Sequence, residues 1–167
     1  MLAELILPAN LATAAPAVLQ VPDGFTFAAG GDMIGPYHDL NLADPGFAKV
    51  TSLFRGADLG FANQEGSIFD LKTYKGFPAA ENGGGYPLQP AAFARTIKAM
   101  GISLVSKANN HATDWGTEGL AATLGWLAAA GVVQVVAGAG LEAARAPAYL
   151  ETVKGRAALV ATASTFP

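Results

Sequence analysis

The chain has 167 residues, 51% of them hydrophobic and 14% charged, with a formal net charge of −3. That length suffices for one domain with a real core, and the apolar content excludes a disordered chain. The acidic balance argues against nucleic acid, which needs a basic face. The absence of cysteine excludes a disulfide framework, a thiolate zinc site and a cysteine nucleophile.

Met1 to Leu19 is apolar and ends in the small-residue stretch Thr13-Ala14-Ala15-Pro16-Ala17. That ending is like a signal peptide, but a signal needs a basic n-region and the only charge here is Glu4. Residues 1–22 therefore read as an apolar N-terminal arm or a signal remnant, and Pro8 and Asn10 break the run well short of a membrane span. Asp23-Gly24 is a turn that starts the domain proper, residues 23–167.

Phe25 to Ala29 is a short apolar run that predicts a buried strand leading into Gly30-Gly31-Asp32. Asp44 as cap and Pro45 at the first helical position predict a helix. Its core stripe would be Phe47, Val50, Leu53 and Phe54, with Gly56 as the stop. Leu59 to Ala62 predicts a second strand, ending in Asn63-Gln64-Glu65. Ile68 to Pro87 is a long irregular segment with Gly83-Gly84-Gly85 near its end, and loops of that length usually carry function. A helix follows from Pro90 to Met100, with Phe93, Ile97 and Met100 on one face.

Ile102 to Ser106 predicts a third strand, running into Ala108-Asn109-Asn110-His111. Thr117 to Ala130 predicts a helix with Leu120, Leu124 and Leu127 facing the core, and Val132 to Ala137 a fourth strand. Ala148 to Val153 and Ala157 to Thr162 predict a hairpin around Lys154-Gly155-Arg156. Strands alternating with helices give an α/β domain with a mostly parallel sheet, followed by an antiparallel element.

Three polar clusters then occupy equivalent places: Asp32 after the first strand, Glu65 after the second, Asn110-His111 after the third. In open α/β sheets the loops at the carboxyl ends of the strands share one edge, and ligands bind there. Two carboxylates and an amide oxygen suit a hard divalent cation, and histidine adds a borderline nitrogen. Paired ions in phosphatases clamp the attacking and leaving oxygens of a displacement. Glu65 could bridge two ions, and His111 could protonate a leaving alkoxide.

Gly31-Asp32, Asn63-Gln64-Glu65 and the run Ala108-Asn109-Asn110-His111-Ala112-Thr113-Asp114-Trp115-Gly116 resemble the signatures of the CapA family of capsule and poly-γ-glutamate synthesis proteins. That family lies within the calcineurin-like metallophosphoesterases. The resemblance runs from about Phe25 onward and implies a metallophosphoesterase-like layered sandwich, of which the chain would be the N-terminal part. It implies that Asp32, Glu65 and Asn110 are metal ligands, that His111 acts on the phosphoryl group, and that Asn63, Asn109 and Asp114 support the site. It also implies divalent Mn, Fe or Zn, dinuclear in a complete domain. The partners implied are a phosphoester or anionic polymer substrate and an envelope polymer-synthesis complex.

Two departures matter. Met33 and Ile34 stand where superfamily enzymes carry Asp-x-His, and no His-Trp-Gly motif is present among the two histidines, His38 and His111. Two functions stay open: a metal-dependent phosphoesterase, or a non-catalytic metal-binding or structural component of a polymer synthesis or export complex. Other motifs carry less. His38 reads as a surface histidine, and Trp115 as packing rather than a substrate platform. Gly138-Ala139-Gly140 imitates a dinucleotide fingerprint but lacks the following helix length and acidic residue.

Overall fold

The computed structural model describes residues 22–35, 40–79, 86–135 and 140–164. The arm or signal remnant, His38, the triple glycine 83–85 and Gly138-Ala139 lie outside the described residues. Four parallel strands form the central sheet in the order β1 (Phe27–Asp32), β2 (Leu59–Asn63), β5 (Leu104–Ser106), β6 (Val133–Val135). The α/β class with a mostly parallel sheet is therefore observed. Two further pairs stand apart: parallel β3 (Ser67–Ile68) with β4 (Leu88–Gln89), and the antiparallel hairpin β7 (Ala148–Thr152) with β8 (Gly155–Leu159). The short β3–β4 pair brackets the long irregular segment and closes it at its base.

Helix α1 (Pro45–Gly56) starts as its sequence dictates: the Asp44 carboxylate accepts from the amides of Gly46 and Phe47 at 2.9 and 3.0 Å. Such a cap stabilises a helix by about 1 kcal/mol. Its core stripe differs from the spacing-based expectation. Thr51 and Phe54 are buried with Phe47 packed beside the core, whereas Val50 and Leu53 are exposed. Phe47 and Phe54 belong to both faces, and the sheet selects the one that also carries Thr51.

Under α1 the sheet presents small residues. A Cβ on Gly30 would sit 3.1 Å from the Phe54 ring, and one on Gly60 only 2.3 Å from the Gly101 carbonyl oxygen. Glycine at position 60 thus lets the end of α2 (Phe93–Ala99) approach the sheet directly. The core gathers Phe54, Ala62, Ile68, Phe93, Ile97, Met100, Ile102, Val105 and Leu127, with Ala62 and Val105 adjacent in register. Helix α3 (Gly116–Ala129) buries Gly119, Thr123 and Leu127 and leaves Leu120 and Leu124 only half-buried. Thr123 ties it to β3, accepting from the Ile68 amide at 2.9 Å and donating to the Gly119 carbonyl at 2.7 Å.

A short helix, α4 (Leu141–Arg145), precedes the hairpin. The hairpin turn is tighter than expected, with Val153-Lys154 as its two loop residues. Lys154 donates to the Gly24 carbonyl and to Asp58, which also accepts from the amide and hydroxyl of Thr26. Those bonds hold the Asp58 carboxyl down to about 2 and anchor the hairpin at the amino ends of β1 and β2. No helix among the described residues is long and apolar enough to cross a membrane.

Candidate metal centre

All four strands of the central sheet run parallel, so their carboxyl ends share one edge, and the polar clusters meet there. The aim of Asp32 depends on an irregularity. Ala29 pairs with Phe61, but Asp32 pairs with Asn63, so β1 spends three residues where β2 spends two. This bulge at Gly30-Gly31 restores Asp32 to the face that Asn63 occupies; bulges beside functional sites re-aim side chains in this way. The Asn63 amide nitrogen then donates to both acids, at 2.8 Å to Asp32 Oδ1 and 2.7 Å to Glu65 Oε2.

Asn109 closes the network from the third strand end. Its Nδ2 donates to Asn63 Oδ1 at 3.1 Å and to the Gln64 carbonyl at 3.0 Å, while its Oδ1 accepts from the His111 amide at 3.1 Å. The imidazole is held at both ends. Nδ1 lies 2.7 Å from the buried Asp114 Oδ2, and Nε2 lies 3.6 Å from Glu65 Oε1. Nδ1 thus faces Asp114 and Nε2 faces Glu65. Asn110 is exposed at the turn between Asn109 and His111. Six of the seven site residues named from sequence are thus joined in one hydrogen-bonded corner, with Asn110 exposed beside it.

Burial raises the Glu65 carboxyl above its usual range, and the neighbouring Asp32 charge pushes the same way, against a smaller lowering by His111. Two acids sharing one amide donor are short of positive charge, which a cation would supply. Donor chemistry therefore fits a hard divalent ion: two carboxylates, with the exposed amide of Asn110 and the imidazole beside them. The arrangement is not a finished cage, because among the described residues no three Asp, Glu or His side chains converge closely enough to hold an ion.

Two structural residues support the corner: Lys107, which escaped the sequence reading, and Gln64, which was read only as part of the Asn63-Gln64-Glu65 cluster. Lys107 is fully buried directly after β5, and its Nζ donates to the Glu65 carbonyl at 2.7 Å and to the His111 carbonyl at 3.4 Å. Burial pushes its ammonium down to about 8, against the pull of Asp114 and Glu65. A neutral amine still has two N–H groups, enough for both carbonyls. Gln64 is the second: it donates to Gly66 and to the buried Gln89 on β4, which in turn donates to the Met33 carbonyl. A lone lysine at the end of an apolar strand was the available signal for Lys107.

On its far side the Asp114–Trp115 turn is held by aromatic rings. Trp115 meets Phe69, Tyr74 and Tyr86 edge-on at centroid distances of 5.3, 5.9 and 5.8 Å, and the Tyr74 hydroxyl donates to the Trp115 carbonyl. The Ala79 amide donates to the Asp114 carbonyl at 2.6 Å, so the irregular segment is stitched to the residue that orients His111.

With this geometry in place, comparison with known proteins is direct. The family model described as "Bacterial capsule synthesis protein PGA_cap" matches residues 26–166. The chain belongs to this bacterial capsule synthesis protein family. The matched stretch contains every residue of the polar corner. Two proteins of Sinorhizobium fredii (strain NBRC 101917 / NGR234), "Uncharacterized protein y4sH" and "Uncharacterized protein y4uA", are each 40% identical to it over 147 residues. The aligned stretch is 88% of this chain but 32% of either relative, so the chain spans about a third of their length.

Proposed function

We propose that this member of the capsule synthesis family is a metal-dependent phosphoesterase of envelope-polymer metabolism, with the corner between Asp32 and His111 as its site. The observation that carries the reading is the pair of acids, Asp32 and Glu65, sharing one Asn63 amide, with His111 Nε2 beside Glu65. Asp32, Glu65 and Asn110 are the residues that would hold divalent Mn, Fe or Zn. Such an ion, when bound, supplies Lewis acidity toward a phosphoryl oxygen.

The chain's own contribution is positional. Asp114 holds Nδ1–H, so a protonated His111 presents Nε2–H to a leaving alkoxide, and the neutral ring accepts a proton there. Asn63 and Asn109 fix the acids and the His111 backbone. Lys107 joins the Glu65 and His111 loops from below. Replacing His111 with Ala should lower turnover of a generic phosphodiester about 100-fold while divalent-ion affinity changes little. Unchanged turnover in that variant would remove His111 from the chemistry.

One observation favours a second reading, a non-catalytic metal-binding or structural component of a polymer synthesis or export complex. The Asn63 amide already sits between the two acids and partly satisfies them. Under this reading, wild type shows no phosphodiester turnover with Mn, Fe or Zn supplied.

A further inference from the structure

Residues 69–79 and α3 line an open cavity of about 700 Å³ that the polar corner does not use. Three of its aromatic walls are Tyr74, Phe77 and Trp126; Phe77 is 81% and Trp126 39% exposed, both large apolar rings offered to solvent. Asp70, Thr73 and Glu118 also line it, against a single cation, Lys75. Close packing holds its Tyr74 wall against α3. A Cβ on Gly119 would come within 2.5 Å of Trp115 and 3.3 Å of the Tyr74 hydroxyl, so glycine here lets the aromatic cluster lie on the helix.

From this placement we propose that the cavity is a subsite for a neutral saccharide unit. Ring faces pack against the apolar C–H faces of a pyranose, and carboxylate, hydroxyl and backbone groups take its hydroxyls. Charge decides against the alternative polymer chemistry. Two carboxylates against one ammonium repel a polyanion such as a γ-glutamate chain and tolerate a neutral sugar. The subsite also adjoins the corner: the Ala79 amide at its wall binds the Asp114 carbonyl, and Asp114 orients His111. The inference rests on the phosphoesterase reading only in placing a phosphoester of the bound glycan at His111; saccharide binding itself stands apart.

The test titrates neutral gluco-, galacto- and N-acetylhexosamine tetrasaccharides, and tetra-γ-glutamate, by calorimetry. At least one neutral tetrasaccharide should bind, and Trp126→Ala and Phe77→Ala should each weaken it about tenfold or more. Phe77 is four-fifths exposed, so Phe77→Ala should keep the wild-type melting temperature. Glu65→Gln should leave saccharide affinity intact while weakening divalent-ion binding, which separates failure of the subsite from failure of the metal centre. The proposal is overturned if no neutral tetrasaccharide binds below roughly 10 mM, if both ring variants bind as wild type, or if tetra-γ-glutamate binds more tightly than every sugar.

Discussion

The polar corner and the aromatic wall lie on opposite sides of one turn, Asp114–Trp115, and are held by opposite physics. The corner is fixed by directional bonds among amides, carboxylates and one buried ammonium, each satisfying a group that would otherwise be orphaned. The wall is fixed by ring packing, with Phe69 stacked on Tyr74 at 4.1 Å and Trp115 edge-on to both. Bonds of the first kind hold geometry to fractions of an ångström and tolerate no substitution that strands a partner. Packing of the second kind supplies more free energy per residue and leaves ring faces open at its margin. A site that orients a histidine needs the first; a surface that receives a ligand face is suited to the second.

Trp115→Ala tests whether the two halves depend on each other. Removing the ring should cost about 4 kcal/mol of stability, read from chemical denaturation. It should also loosen the Asp114–His111 pair, because the Tyr74 bond to the Trp115 carbonyl loses its support. A loss below about 1 kcal/mol would show the wall to be dispensable.

Lys107 gives the corner a pH signature. Its folded pKa, about 8, lies below the ordinary lysine value of 10.5. Between those values the unfolded chain binds the proton and the folded chain does not, so stability should rise with pH across that window, by about 3 kcal/mol at most. Below the window the charged lysine is carried at that cost in the folded state. The wild-type minus Lys107→Met difference between pH 8 and pH 10.5, which cancels the other titrating groups, should show the rise. A flat difference would mean that Lys107 is hydrated.

Asn109→Ala is the smallest of the three effects. It removes the bonds to Asn63, Gln64 and the His111 amide from a half-buried position, at about 2 kcal/mol. The denaturation midpoint should fall without a change in slope.

The architecture was largely legible in the sequence because strands ending in polar clusters, separated by helical spacings, define a parallel sheet and the edge where those clusters meet. Side-chain aim was less legible. Asp32 reaches Asn63 only through the bulge at Gly30-Gly31, and a bulge is a relation between two strands that neither carries alone. Lys107 is buried because carbonyls from two separate loops converge on it, which no local pattern encodes. Strands of two residues, such as β3 and β4, are too short to show a period. On α1 the apolar spacing put Val50 and Leu53 on the core stripe, and the position of the sheet chose the face carrying Thr51 instead.

The central claim is that the shared-amide pair of acids is a metal site, and divalent-ion binding measured by calorimetry against Mn, Fe and Zn tests it most directly. Wild type should bind at least one of these ions stoichiometrically. Glu65→Gln should weaken that binding about tenfold or more, and acidification should weaken it already above the ordinary carboxylate range, because protons compete at the raised Glu65 carboxyl. Absence of stoichiometric binding in wild type, or binding that Glu65→Gln leaves unchanged, would contradict the account.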